Sequence, residues 1–476
     1  MTSLSAKTTA GTDTALEEAS VDQLKASLRG ELLVPGDDSY DTTRMVFNAM
    51  IDNRPAMVVR CAGTADVIES VNFARTHDLL VAVRGGGHNV GGKSVCDGGL
   101  LIDLSRMKGI RVDPVRLTAQ AQAGLTLGEF DRETQVFGLA TTLGIVSLTG
   151  IAGLTLGGGI GWLNGKYGLA CDNVRSMDVV TADGRFLTAS ATQNEDLYWG
   201  LRGGSGNFGV VTSFEYELHP VGPVLGGMVI HPLAKANEVL EFYHEFSSNA
   251  PDELSTAAAL LTAPDGNPAV AIAACYCGSV EEGESVLEPL RAFGPPVADL
   301  IGSMPYTGLQ QMLDAAFPPG HHHYWKSNFL HAPSEAAIET MVSYVGKRPS
   351  PLSLVMLQQI HGKASRVEPT ETAFPHRSEQ YDWMILSMWP DPAESEKNIQ
   401  WTRDFYEAMQ PFLERGVYVN NLGEEGDERV RAAYGANHDR LMALKNKYDP
   451  TNFFRLNANI RPGGEERQEK FSAPTG

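Results

Sequence analysis

A histidine directly behind three glycines, Gly85-Gly-Gly-His88, combines two kinds of chemistry in one loop. Glycines without a Cβ let backbone N–H groups close on an anion, so Gly85, Gly86 and Gly87 read as a cradle for a diphosphate. Arg84, just ahead, is expected to add a fixed positive fork at the same place. His88, followed by Asn89, adds a nucleophile at the mouth of that cradle, which anion binding alone would not require. A tight turn carrying a chance histidine is the plainer alternative while the loop is considered by itself.

The same loop also matches a nucleotide motif letter for letter. Gly87-His-Asn-Val-Gly-Gly92-Lys93-Ser94 fits the P-loop pattern G-x-x-x-x-G-K-[ST] and follows a strand. That motif needs a helix starting at its Lys-Ser, so that the helix N-terminus faces the phosphates. Here Val95-Cys-Asp-Gly-Gly99 is a turn and Leu100–Leu104 reads as a strand. The match is read as accidental, and a P-loop NTPase is kept only as a rival.

These residues need elements to position them. Strands are expected at 55–60, 79–83, 100–104 and 110–113, with a helix over 64–76 that turns Val67, Ile68, Val71 and Ala74 to one face. The strand–helix–strand unit ends in the glycine loop. Thr126-Leu-Gly-Glu129 is a capping-box signature, so a helix should start there and end near Gly138. A second glycine-rich run, 149–162, does not fit the dinucleotide fingerprint, because Trp162 falls where the last glycine belongs. An Asp183-Gly184 turn between 177–181 and Thr188 signals a hairpin. A third glycine cluster, 202–209, leads into a strand over 210–218.

After His219-Pro220 glycine thins out. Amphipathic helices are expected at 234–246, 334–344 and 395–412, between strands such as 352–360 and 383–388. This texture predicts a second domain of antiparallel sheet and helices. Residues 1–20 are Ser-, Thr- and Ala-rich and are expected to be disordered.

The 476 residues allow two or three domains. A formal charge of −20 disfavours nucleic acid and anionic membranes as partners and favours neutral or cationic substrates. No apolar signal core and no membrane-length run occur, so a soluble cytoplasmic protein is expected. The five cysteines, Cys61, Cys96, Cys171, Cys275 and Cys277, read as free thiols of a reducing compartment. His321-His-His323 could bind a metal through alternate histidines, but a solvent loop after Pro318-Pro-Gly is the preferred reading.

Four motifs in order carry a resemblance: Arg84-Gly-Gly-Gly-His-Asn89, then 156–163 with Lys166-Tyr-Gly-Leu169, then Gly206-Asn-Phe-Gly-Val-Val211, then 448–460. From about residue 30 onward the chain resembles the berberine-bridge-enzyme-like FAD-linked oxidases of the vanillyl-alcohol-oxidase superfamily. The resemblance implies an α+β fold: a PCMH-type FAD-binding domain of two α/β subdomains plus a substrate domain with an antiparallel sheet flanked by helices. On this chain the boundaries fall at 21–220 for the FAD domain, 221–413 for the substrate domain and 414–476 for a segment returning to the FAD domain. It implies one covalent bond from His88 to the flavin. Many members carry a second attaching cysteine at the place of Val146, and no cysteine lies between Cys96 and Cys171. Arg84, Gly85, Gly86, Gly87, His88, Asn89, Gly150, Ile151, Gly153, Gly157, Gly158, Gly161, Val211, Asn457 and Asn459 are the implied cofactor residues, Ile151 standing where the family gates oxygen.

The resemblance further implies that Tyr418, in Gly416-Val-Tyr-Val-Asn-Asn421, is the catalytic base. If that stretch is a strand, Tyr418 and Asn420 share a face, and the tyrosine's ordinary pKa near 10 must be lowered for the task. Tyr324, Trp325, Gln359 and Trp389 are candidate substrate contacts. The expected activity is hydride transfer from an alcohol or amine carbon of a small molecule, such as a sugar, an alkaloid-like amine or a secondary-metabolite alcohol, to flavin N5. Oxygen would then reoxidise the flavin and yield hydrogen peroxide, with no metal. A dehydrogenase of the same family that reacts poorly with oxygen, and a non-catalytic flavin-binding module, are the remaining rivals.

Overall fold

The structure is a computed structural model that describes residues 4–423 and 425–463. Two small sheets and one large sheet organise it. In the four-stranded sheet, Met57–Arg60 and Val81–Arg84 flank Leu100–Asp103 in parallel, and Glu31–Leu33 adds an antiparallel edge. The helix Thr64–Thr76 makes the crossover between the first two parallel strands. Its residues Val67, Val71 and Ala74 are buried, as their spacing predicts. The chain leaves Val81–Arg84 directly into the glycine loop, so the sheet fixes where that loop begins.

The five-stranded antiparallel sheet runs Phe186–Ser190, Val174–Val180, Val210–Glu217, Thr118–Gln122, Ile110–Asp113. The capping box at Thr126 is formed in both directions, and the helix it starts is Leu127–Gln135. One hydrophobic core joins the two small sheets, and Val417, Tyr434, Leu441 and Ile460 from the last sixty residues pack into it.

The large sheet has eight strands, all antiparallel. Leu254–Thr262, Leu354–Ile360, Gln380–Trp389 and His322–Leu330 lie side by side in that order. Helices Ala236–Ser248, Glu335–Val345 and Ser395–Met409 cover one face, where Val355, Leu357, Trp383 and Ile385 form a second core. The other face, carrying the alternate residues, looks toward the glycine loop.

Three expectations need correction. The N-terminal stretch is folded over its described residues: Leu4–Lys7 and Asp13–Leu16 pair as a hairpin, followed by the helix Glu18–Ser27. The hairpin buries Ala6 and Leu16 and bonds to the first small sheet through Lys7 N to Gly98 O and Leu80 N to Lys7 O. Polar composition misled there because Thr and Ser suit an edge hairpin as well as a disordered tail. The stretch around Tyr418 is no strand but leads into a single 3₁₀ turn, Val419–Asn421. The histidine run is no solvent loop: His323 lies inside the strand His322–Leu330 and is buried. Among the described residues no helix is long and apolar enough to cross a membrane, and no group of three or more His, Cys, Asp or Glu is placed to hold a metal.

Candidate active site

A cavity of about 310 Å³ lies between the two small sheets and the free face of the large one. Gly85 to Asn89 together with Gly150, Ala152 and Gly153 line it. The two glycine loops touch backbone to backbone: a Cβ on Gly86 would stand 2.5 Å from Gly150 N, and a Cβ on Gly150 equally close to Gly86 N. Gly87 has φ +67°, the left-handed region, which turns the chain so that His88 follows into the cavity wall. No helix starts at Lys93, so the phosphate-binding geometry of a P-loop is missing.

His88 stacks on Phe47, ring centroids 4.1 Å apart, and Phe47 stacks in turn on His323 at 4.3 Å. Phe47 is anchored by its own N–H to Gly87 O at 3.0 Å, and His323 by its N–H to Asn48 Oδ1 at 2.9 Å. Burial pushes the His88 imidazole down to about 4, so it is neutral at physiological pH. Its Nε2 has no hydrogen-bond partner among the described residues. A neutral, unpartnered ring nitrogen held in one plane is a competent nucleophile.

Arg84 does not reach the cradle. Its guanidinium is committed to Asp103 at 2.8 Å and to the carbonyls of Thr43 and Met45. The run Gly157–Gly161 also serves packing rather than anion binding. A Cβ at Gly157 would meet Asn420, at Gly158 the Phe374 ring, and at Gly161 Leu143 O. Of the residues expected at the cofactor, Gly85, Gly86, Gly87, His88, Asn89, Gly150, Gly153, Val211 and Asn457 line the cavity, whereas Ile151 and Asn459 stand outside its lining. Asn457 is not on a strand. Asn207 pairs through its side chain with Ala458 O and Ile460 N and replaces the ladder a strand would make.

Two acidic groups line the same cavity within electrostatic reach of each other. Tyr418 and Asn420 do pair, although through the turn: the Asn420 amide donates to Tyr418 Oη at 2.7 Å, and Gly159 N–H donates to the same oxygen at 2.9 Å. Burial nevertheless pushes the Tyr418 hydroxyl above the ordinary tyrosine range, opposite to the shift expected for a base. The second group is Asp382, which the sequence reading passed over. It is fully buried in the cavity wall, accepts a hydrogen bond from the Asn421 amide at 2.8 Å on Oδ2, and has no partner on Oδ1 among the described residues. Burial pushes its carboxyl up to about 8, with the Asn421 bond pulling the other way. A sequence signal existed: Asp382 is the lone charged residue in the apolar run Gln380–Trp389. A strand begun at Trp383 excludes it by one position.

The two-residue period also sorts the substrate candidates. Trp325 lines the cavity. Tyr324 points to the helix side, beside Arg403 at 3.4 Å. Gln359 donates to Ser247 O at 2.6 Å and accepts from Thr256 Oγ1 at 2.7 Å, away from the cavity, and its neighbour Gln358 takes the lining position. Trp389 donates to Ser395 Oγ at 3.0 Å, also on the helix side. A one-residue error moves a side chain to the opposite face.

Residues 55–190 match the FAD binding domain family, and residues 417–461 match the family described as berberine and berberine like. An FAD-linked oxidoreductase of Dictyostelium discoideum is 35% identical over 447 residues, covering 93% of this chain and 97% of that one. The chain belongs to the berberine-bridge-like FAD-linked oxidoreductases. The (R)-6-hydroxynicotine oxidase of Paenarthrobacter nicotinovorans is 30% identical, covering 92% of this chain and 98% of that one. The crystal structure of 6-hydroxy-D-nicotine oxidase from Arthrobacter nicotinovorans superposes with a TM-score of 0.84 at 29% identity, covering 91% of this chain and 98% of that one.

This flavoenzyme has an α+β fold of the PCMH type, and its cavity suits FAD. Because neither Gly86 nor Gly150 carries a Cβ, the two glycine loops close backbone to backbone in the cavity wall. Val81, Val83, Leu104, Leu154 and Ile160 supply an apolar bed, and His88 Nε2 and Asn457 Oδ1 are polar atoms without a partner among the described residues. Sequence reasoning missed Leu154, Ile160 and Leu456 as lining residues, because an apolar contact with a ring system looks the same as core.

Proposed function

We propose that this FAD-dependent enzyme is an oxidase that converts an alcohol or amine carbon of a small molecule to C=O or C=N, with oxygen reduced to hydrogen peroxide. FAD supplies the hydride acceptor. His88 carries the cofactor covalently, and it does so alone, because Val146 occupies the place of a second attaching residue. The Gly85–Gly87 and Gly150–Gly153 backbones hold the diphosphate-bearing part, with Val211 and Asn457 beside them. Asp382 takes the proton of the substrate O–H or N–H through Oδ1, and its carbon-bound hydrogen leaves as hydride. Tyr418, whose oxygen already accepts two hydrogen bonds, turns its own proton toward the substrate heteroatom and positions it. The base role is given to Asp382 because a group titrating near 8 is matched to work near neutrality, and a buried tyrosine hydroxyl raised above its ordinary value is not.

The observation that carries this reading is one cavity shared by a neutral, unpartnered histidine at the glycine cradle and a buried, half-satisfied carboxyl beside a doubly bonded tyrosine. Anaerobic mixing with substrate should bleach the flavin, and admission of oxygen should restore its colour with one peroxide per turnover. Slow recovery in oxygen with rapid recovery by an artificial electron acceptor would make the protein a dehydrogenase of the same family instead.

A further inference from the structure

The face of the large sheet that looks into the cavity changes character along its length. At one end Asp382 stands directly opposite Gln358. Two residues on, Met384 stands opposite Met356, and two further on Leu386 lies between Leu354 and Trp325. Residues registered in this way share a face and touch. A strand rise of about 3.4 Å per residue separates Asp382 from Leu386 by about 14 Å. Phe317 stands edge-on to Trp325 at 6.2 Å, and Val146 packs with Leu354 and Met356 at the same apolar end.

We infer that the substrate is an elongated, largely apolar ring compound, an aromatic or alicyclic alcohol or amine, bound with its one hydroxyl or amine donor at Asp382 and its hydrocarbon body along Met356, Met384 and Leu386. This inference rests on the FAD-oxidoreductase reading of the same cavity. Asp382 Oδ1 has no partner among the described residues and is the acceptor that takes the substrate's donor. A sugar would bring several further hydroxyls along the wall, where beyond the Gln358 amide the two methionines and the leucines offer no partner better than a thioether. Each hydroxyl buried unpaired costs about tenfold or more in affinity. Methionine side chains, in contrast, adapt to ring faces and edges, and their sulfur contacts with aromatic rings are favourable. Trp325 and Phe317 extend the same preference through offset or edge-to-face packing. Trp325 Nε1, without a partner among the described residues, is a polar point at the far end, suited to a lone acceptor atom.

The test is anaerobic mixing of the holoenzyme with a panel of probes: 1-phenylethanol, cinnamyl alcohol, cyclohexanol and 1-phenylethylamine against glucose, cellobiose and diacetylchitobiose. Flavin content is read first from the visible bands, and a colourless protein overturns the FAD reading and this inference with it. In a yellow protein, at least one ring compound should bleach or shift the flavin bands at a concentration about 100-fold below that of any sugar, the factor expected for two unpaired hydroxyls. A sugar acting at equal or lower concentration overturns the inference. So does failure of every ring compound to perturb the bands up to its solubility limit. The variant Met384→Gln places an amide at the middle of the wall. It should weaken the best ring compound about tenfold and narrow its advantage over the sugars, and an unchanged ratio between the two classes contradicts the assignment of this wall.

Discussion

Asp382→Asn is the sharpest perturbation of the site. The substitution keeps the shape of the side chain and leaves an oxygen to accept from the Asn421 amide, which lies 2.8 Å from Oδ2 in the parent. It removes only the ability to take a proton. With a carboxyl pushed up to about 8 by burial, the acceptor form amounts to about 1% of the protein at pH 6, about 10% at pH 7 and about 90% at pH 9. Stopped-flow flavin reduction in the parent should therefore rise roughly tenfold per pH unit up to pH 7, bend near 8 and level off above 9. In Asp382→Asn the rate should fall by about 10²–10⁴ and the bend should vanish, the usual cost of losing a positioned acid–base group. Stability supplies an independent check. A carboxyl whose folded pKa is raised from 3.8 to about 8 contributes stability that is fully present below 3.8 and is lost as pH rises through 8. The ceiling is about 6 kcal/mol at 1.36 kcal/mol per unit. The asparagine variant should thus be more stable than the parent at pH 8 in the flavin-free form, with no gain at pH 4. A parent rate that falls rather than rises across pH 8 would mean that Asp382 acts as a donor, and a variant that reduces its flavin within threefold of the parent would remove Asp382 from the mechanism.

Two further outcomes follow from the same geometry. Tyr418→Phe leaves Gly159 N–H and the Asn420 amide without their shared acceptor, which should cost about 1–3 kcal/mol of stability per stranded donor. It should raise the substrate KM and slow reduction while preserving the bend near pH 8, and loss of that bend would return the base role to the tyrosine. The buried histidines His88 and His376, pushed down to about 4, and His323, pushed down to about 3, are neutral in the fold and take up protons only when it opens. Their contribution is complete above 6.5 and is lost as pH falls from 6.5 toward 4, reaching at most about 2 kcal/mol each at pH 5. Acid unfolding followed by circular dichroism should begin below pH 6.5, and His323→Phe, which keeps a ring against Phe47, should move the midpoint to lower pH. An identical midpoint in parent and variant would contradict this account.

The first half of the fold was legible because its signals are local. The helix Thr64–Thr76, the capping box at Thr126 and the strands that frame the glycine loop all follow from spacing within a dozen residues. The site was legible only in part. Gly85 to His88 announce themselves by composition, but Arg84 was assigned to the cradle because its partner Asp103 lies on a neighbouring strand that only the parallel register brings beside it. Gly157 to Gly161 look like anion-binding glycines, yet their missing Cβ atoms make room for Asn420, Phe374 and Leu143. Val417-Tyr-Val-Asn-Asn421 alternates like a strand, but Asn420 and Asn421 spend their amides on Tyr418, Leu154 and Asp382, and these side-chain bonds shape a turn instead. The choice between Gln358 and Gln359, and between Tyr324 and Trp325, depends on which face of a strand meets the cavity. That is a tertiary fact with no trace in a sequence buried on both sides.

The attachment of the flavin to His88 tests the account most directly. Protein purified from an unmodified source should be precipitated in acid, washed, digested and mapped by mass, with its visible spectrum recorded at each stage. The precipitate should stay yellow, a single peptide containing His88 should carry the flavin, and His88→Ala should release its flavin into the acid supernatant. A colourless precipitate from fully loaded parent protein, or a flavin bonded to Cys96 or Cys171, would contradict the claim that the neutral, unpartnered imidazole stacked on Phe47 is the attachment point.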